Sequence, residues 1–141
     1  MVLIEKQVNK FIEEYLKQKG WNISKIARNS GEHGIDIIAF HPKRRKRYLI
    51  EVKGESNTHQ AQNMHNAFWT VLGQILTRMD IEGNSSNKAR YYAIGIPKNW
   101  ERVFKNKILK MKYGWGLLKL KVFLVDSNGK VEEKPYSYFL K

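Results

Sequence analysis

Residues 31–54 read GEHGIDIIAFHPKRRKRYLIEVKG, and the interpretation of the whole chain turns on them. Two apolar runs flank five consecutive basic residues, Lys43-Arg44-Arg45-Lys46-Arg47. The first run carries Asp36, and the second carries Glu51 and Lys53. Burying an unpaired charge is costly, so charges set into apolar strands need a reason. A cation site supplies one reason for all three.

Strand side chains alternate faces with a period of two. Ile35, Ile37 and Ala39 then share one face, while Asp36, Ile38 and Phe40 share the other. In the second run Glu51 and Lys53 share a face with Leu49. A hairpin with a two-residue loop at Lys43-Arg44 sets Asp36 opposite Glu51, and one at Arg44-Arg45 sets it opposite Lys53. Opposed residues have Cβ atoms about 4.5–5.5 Å apart, so either register gathers Asp36, Glu51 and Lys53. Two carboxylates that close repel unless a cation joins them. Hard oxygen donors suit Mg²⁺ or Mn²⁺. A neighbouring lysine can orient water or neutralise charge on a phosphate.

Gly34-Ile35-Asp36, with Glu51-Val52-Lys53 beginning fifteen positions after the aspartate, resembles the core of the PD-(D/E)xK, or restriction-endonuclease-like, nuclease superfamily. Holliday junction resolvases and many restriction enzymes belong to it. Gly34-Ile35 stand here where that pattern usually has a proline before the aspartate. The resemblance implies a metal-dependent endonuclease acting on DNA. Asp36, Glu51 and an acid on the first helix would hold one or two Mg²⁺ (or Mn²⁺), and Lys53 would help activate water.

The first helix is expected over residues 2–19, where Ile4, Val8, Phe11, Ile12, Tyr15 and Leu16 recur at helical spacing before Gly20. At about 100° per residue, Glu5 falls inside the apolar arc, and Glu13 and Glu14 fall outside it. Glu5 is therefore the acid on the sheet side. An acid in the first turn also complements the helix dipole, which is the structural alternative. A second helix is expected over residues 64–80, its core face formed by Met64, Phe68, Val71, Leu72, Ile75, Leu76 and Met79. Thr70, Gln74 and Arg78 form a separate polar strip. Gln74 resembles the helix-borne glutamine of several families in the superfamily, which sits beside the metal and helps hold substrate or the lysine. Gly73 costs a helix about 1 kcal/mol relative to alanine, which close packing or substrate approach would explain.

The composition points the same way. The 141 residues suit a single domain with one core, spanning 1–141. There are 26 basic residues against 13 acidic ones, a net charge of +13, which favours a polyanionic partner. The basic run at Lys43, Arg44, Arg45, Lys46 and Arg47 is then a candidate phosphate grip, as is Arg78, although a solvated hairpin tip would look the same. No apolar run is long enough to span a membrane, the N-terminus lacks signal-peptide order, and the absence of cysteine fits a cytoplasmic protein. Glu32 and His33 sit in a loop beside the proposed site but are not required by it and stay outside the catalytic set, and His59 and His65 have no ligand-like spacing and read as surface residues.

The remaining expectations complete the architecture. Residues 21–28 read as a strand, 54–63 as a polar loop that orders over substrate, and 89–96 as a strand. A basic helix spans 99–112 with Trp100, Phe104 and Ile108 inward, broken by Gly114-Trp115-Gly116. A strand follows with Leu118, Leu120, Val122 and Leu124 on one face, and the tail adds an edge strand. This order suits an α/β fold, a three-layer sandwich with a mixed central sheet flanked by helices. A catalytically silent nucleic-acid-binding module of the same fold, or a basic RNA-binding protein, would share the charge. With no separate specificity domain, site recognition would come from a second copy or a partner protein.

Overall fold

The computed structural model describes residues 3–24, 37–55, 60–82 and 89–141. Helix α1 (Glu5–Gln18) opens the chain, followed by strands β1 (Asn22–Ile23), β2 (Ile37–His41) and β3 (Lys46–Val52). Helix α2 (Gln60–Glu82) crosses to β4 (Ala89–Pro97). A 3-10 turn (Lys98–Trp100) leads into α3 (Glu101–Ile108) and α4 (Lys112–Leu118), then β5 (Lys121–Val125), β6 (Val131–Lys134) and a closing 3-10 turn (Tyr136–Leu140). The six strands form one sheet in the order β1-β2-β3-β4-β5-β6. The two central pairings, β3 with β4 and β4 with β5, are parallel, and the outer ones are antiparallel. This is the expected mixed sheet.

Alternation assigns the layers. Ile37, Ala39, Tyr48, Ile50, Val52 and Phe123 bury one face against Val8, Ile12 and Leu16 of α1. Ile94, Ile96, Val122 and Leu124 bury the other against Phe68, Val71 and Ile75 of α2 and Phe104 and Ile108 of α3. Helix α1 ends in a Schellman motif. Gly20 takes the left-handed conformation (φ 92°), the Trp21 amide donates to the Leu16 carbonyl at 3.0 Å, and the Gly20 amide donates to that of Lys17 at 3.1 Å. Trp21 is thereby turned back onto Leu16 in the α1-side core.

Four local expectations are corrected. The hairpin loop has four residues, Pro42–Arg45, not two. Arg45 adopts φ 54°, its amide donates to the His41 carbonyl at 2.8 Å, and the strands close with His41 opposite Lys46. Ile37 pairs with Ile50, the register of a loop centred on Lys43-Arg44. Helix α2 begins at Gln60, inside the segment read as a polar loop, because Gln and Ala extend a helix well without apolar periodicity. Residues 56–59 of that segment, and residues 25–28 of the expected first strand, lie outside the described residues. Gly114-Trp115-Gly116 does not break a helix but lies within α4. Buried Trp115, whose indole N–H donates to the Tyr136 carbonyl at 2.9 Å, draws that segment into the core and overrides glycine's low propensity. Finally, Leu76 is 43% exposed, at the margin of the apolar arc rather than in the core.

Candidate active site

Glu51 lies near the end of β3, which is buried on both sides by neighbouring strands, and is only 3% exposed. It projects to the face of Leu49, on the α2 side, opposite the face that Ile50 and Val52 present to α1. Lys53 follows the strand end and keeps ladder geometry: its amide donates to the Gly95 carbonyl at 2.9 Å. Its Nζ lies 3.8 Å from Oε1 of Glu5. The side chains of Lys53 and Glu5 are 23% and 51% exposed, so the pair sits at the rim beside buried Glu51.

The first turn of α1 is fixed to this strand end by backbone. The Glu55 amide donates to the Leu3 carbonyl at 2.8 Å. A Cβ on Gly54 would collide with the Glu5 amide nitrogen and the Ile4 carbonyl carbon. Only glycine lets the two backbones approach this closely. The buried stripe of α1 comprises Val8, Asn9, Ile12 and Leu16, and at about 100° per residue its centre passes through the direction of Glu5. The helical phase read from the sequence is therefore the observed one. Glu5 lies beside Gly54, past the end of β3, which is why it is half exposed rather than packed.

Among the described residues, two buried side-chain atoms have no hydrogen-bond partner: Oε1 of Gln74 and the hydroxyl of Tyr92. Gln74 is carried by α2, which packs on β3 and β4. Tyr92 pairs with Leu49 and packs against it, two residues before Glu51 on the same face. An unsatisfied buried polar group costs about 1–3 kcal/mol, so each of these two atoms has reason to take a polar partner.

A family model described as restriction endonuclease (Mrr_cat) matches residues 3–79, more than half of the chain and all of α1, β2 and β3. The chain belongs to this restriction endonuclease family. The match ends inside α2, so β4 to β6 lie outside the matched range. No curated protein matches the chain.

Within this restriction endonuclease family member, the expected site residues are brought together in part. Glu5, Glu51 and Lys53 lie at one end of β3, and Gln74, partly buried, is carried by α2, which packs on β3 and β4. Asp36 lies outside the described residues; the sequence places it immediately before Ile37, the partner of Ile50. Among the described residues no three carboxylate, histidine or cysteine side chains gather as a cation site. The donors that are described, the Glu5 and Glu51 carboxylates, are hard oxygens of the kind Mg²⁺ and Mn²⁺ take.

The basic run lies elsewhere. It forms the turn at the opposite end of β3, roughly 17 Å along the strand from Glu51 at about 3.3 Å per residue. Its members divide between the two faces of the sheet. Arg47 shares the Glu51 face and lines a groove of ≈ 330 Å³ with Asn22, Ser24, Ile38 and Phe40. Lys46 points to the α1 side, its Nζ 5.1 Å from the Tyr91 ring centre. Lys43, Arg44 and Arg45 are exposed at the tip. Arg78, half-buried, follows Gln74 by one helical turn. Among the described residues, no atom outside the local helix backbone lies within 4 Å of a Cβ built on Gly73, so close packing among them does not explain that glycine. Sequence reading missed Tyr92, although its hydroxyl in the apolar run ARYYAIGI is the same kind of signal as Glu51 in its own strand.

Proposed function

We propose that this chain is a metal-dependent DNA endonuclease that hydrolyses phosphodiester bonds, folded as one domain. The observation that carries the reading is the gathering of buried Glu51, Lys53 and the half-exposed Glu5 at one strand end. Asp36, Glu51 and Glu5 would hold Mg²⁺ or Mn²⁺. Such a cation, when bound, polarises a phosphate and lowers the pKa of its water. The chain's own groups do the rest. Lys53 reaches the rim with its Nζ and donates hydrogen bonds to a non-bridging phosphate oxygen or to the attacking water. Gln74 accepts from Lys53 or from a water through its orphaned Oε1. Arg47, on the same face, holds a flanking phosphate about 13 Å along β3, at about 3.3 Å per residue. The net charge of +13 concentrates DNA at the surface. A second copy or a partner protein would supply any longer sequence recognition.

The rival is a catalytically silent DNA-binding module. The Lys53–Glu5 ion pair fits it equally well, since a lysine that only neutralises acids would look the same. Incubation with Mn²⁺ or Mg²⁺ and labelled duplex, junction, flap and single-stranded DNA decides between them. Cleavage that chelation stops supports the endonuclease; binding of DNA without cleavage of any form leaves the module.

A further inference from the structure

A second concavity, of ≈ 360 Å³, opens on the α1 face of the sheet at the turn end of β3. It is separated from Glu51 by the length of the strand and by the sheet itself. Its floor is aromatic: Trp21 stacks on Tyr48 with ring centres 4.5 Å apart, and both are buried. Half-buried Tyr15 and Tyr91 form the walls. Lys19 from the end of α1, Arg44 from the hairpin turn and Lys46 from β3 stand around the mouth.

The charges do not cancel. The single carboxylate of the lining, Glu133, is already engaged, accepting from Lys121 Nζ at 2.8 Å and from the Tyr48 hydroxyl at 3.0 Å on one oxygen. Lys46 is held over the Tyr91 ring at 5.1 Å and Lys19 over the Tyr15 ring at 5.6 Å. A ring face positions an ammonium without neutralising it. Among the described residues, none of Lys19, Arg44 and Lys46 has a carboxylate within ion-pair distance. Three cations from three elements thus surround an aromatic cup whose own acid is spent.

A bare phosphate would be served by the cations and has no use for the exposed ring surface of Tyr15 and Tyr91, which line the mouth with them. An apolar ligand would use the rings and be repelled by the charged mouth. A nucleotide uses both, with its phosphate between the cations and its base against the exposed parts of Tyr15 and Tyr91. The volume lies within the range of about 300–1,000 Å³ typical of small-ligand pockets. We infer that this pocket binds a nucleotide unit, as a free nucleoside monophosphate or as the end of a nucleic-acid strand. The inference stands on the pocket alone and does not depend on the nuclease reading.

The test is calorimetric titration of the full chain with dAMP, deoxyadenosine, inorganic phosphate and a 5′-phosphorylated single-stranded hexanucleotide. Wild type, Arg44→Ala, Lys46→Ala and Glu51→Gln are compared, and thermal unfolding confirms that each is folded. The expected result is binding of dAMP at least about tenfold tighter than of deoxyadenosine or phosphate, a difference of about 1.4 kcal/mol. Arg44→Ala and Lys46→Ala weaken it severalfold, and Glu51→Gln leaves it alone. If only the hexanucleotide binds, with the same sensitivity to the mouth variants, the unit belongs to a strand, and the inference holds. Phosphate binding as tightly as dAMP, equal binding by the mouth variants and wild type, or no binding of either nucleotide form overturns it.

Discussion

Gly54 lies so close to Glu5 that a methyl group on its Cα would meet the Glu5 amide nitrogen. The obstacle is backbone, which cannot swing aside as a side chain can. Gly54→Ala is therefore expected to push α1 from the end of β3 and to destabilise the fold by about 1–3 kcal/mol, the usual cost of overpacking. Urea unfolding measures the loss, and cleavage should fall more than stability because Glu5 moves relative to Lys53.

The endonuclease reading separates the roles of the strand-end residues. Glu51→Gln and Asp36→Asn are expected to abolish cleavage and Mn²⁺ binding together. Lys53→Ala should abolish cleavage while metal binding persists, because it removes a positive charge from beside a cation. Its stability cost should be no more than about 1 kcal/mol, since the pair with Glu5 is partly exposed. Glu5→Gln should weaken Mg²⁺-dependent cleavage, and Glu13→Gln should not. Cleavage assays paired with Mn²⁺ titration read both effects.

Tyr92→Phe removes an orphaned buried hydroxyl. It is expected to leave stability unchanged or raise it by about 1 kcal/mol, the lower end of the cost of an unsatisfied group. If that hydroxyl serves the site, cleavage should fall in the same variant. Thermal unfolding and the rate of single-turnover cleavage are the two measurements.

The basic turn should report on phosphate contact through salt. Each phosphate neutralised contributes about 0.9 to the log–log slope of affinity against salt. Changing Arg44, Arg45 and Arg47 together to Ala should lower that slope by roughly two to three. Arg47→Ala alone should remove about one and also slow cleavage, as it is the member on the Glu51 face. An unchanged slope would take the turn out of the DNA interface.

Alkaline pH should loosen the Tyr48–Lys121–Glu133 cluster. Burial pushes Tyr48 from the ordinary value of 10.0 up to about 12. Burial pulls Lys121 down, but hydrogen bonds with Glu133 and Tyr48 outweigh it and leave the ammonium raised. Both groups hold their protons more firmly folded than unfolded. Their stabilisation is therefore whole below about pH 10 and is lost as pH rises towards about 12. Tyr48→Phe should flatten the decline of melting temperature across that window.

Much of this architecture was legible because it depends on short-range alternation. Asp36, Glu51 and Lys53 stand out as charges within apolar runs, and the period of two assigns Glu51 and Lys53 to one face. The phase of α1 likewise selects Glu5 over Glu13. What escaped depends on contacts distant in sequence. Trp115 keeps two glycines helical by packing near Tyr136 and Phe139. The closeness of Gly54 to Glu5 joins residues that no local pattern links. Tyr92 gains meaning only once β4 is laid beside β3. The division of Lys46 and Arg47 between two faces follows from the same alternation along β3, whereas the four-residue turn depends on Arg45 taking a left-handed backbone that no local pattern announces.

The strand order carries a consequence for how the molecule assembles. The strands stand side by side in the order in which the chain supplies them. Each new strand has only its immediate predecessor to find, and none must be threaded between two already in place. The sheet can thus lengthen from one edge as the polypeptide is made. Glu5, Glu51 and Lys53 all belong to the opening helix and hairpin, so the strand end they share is drafted first. It stays open to water on one side until α2 has carried the chain across to β4. That crossover is the longer of the two parallel connections in the sheet, and loop closure of this kind is what slows folding.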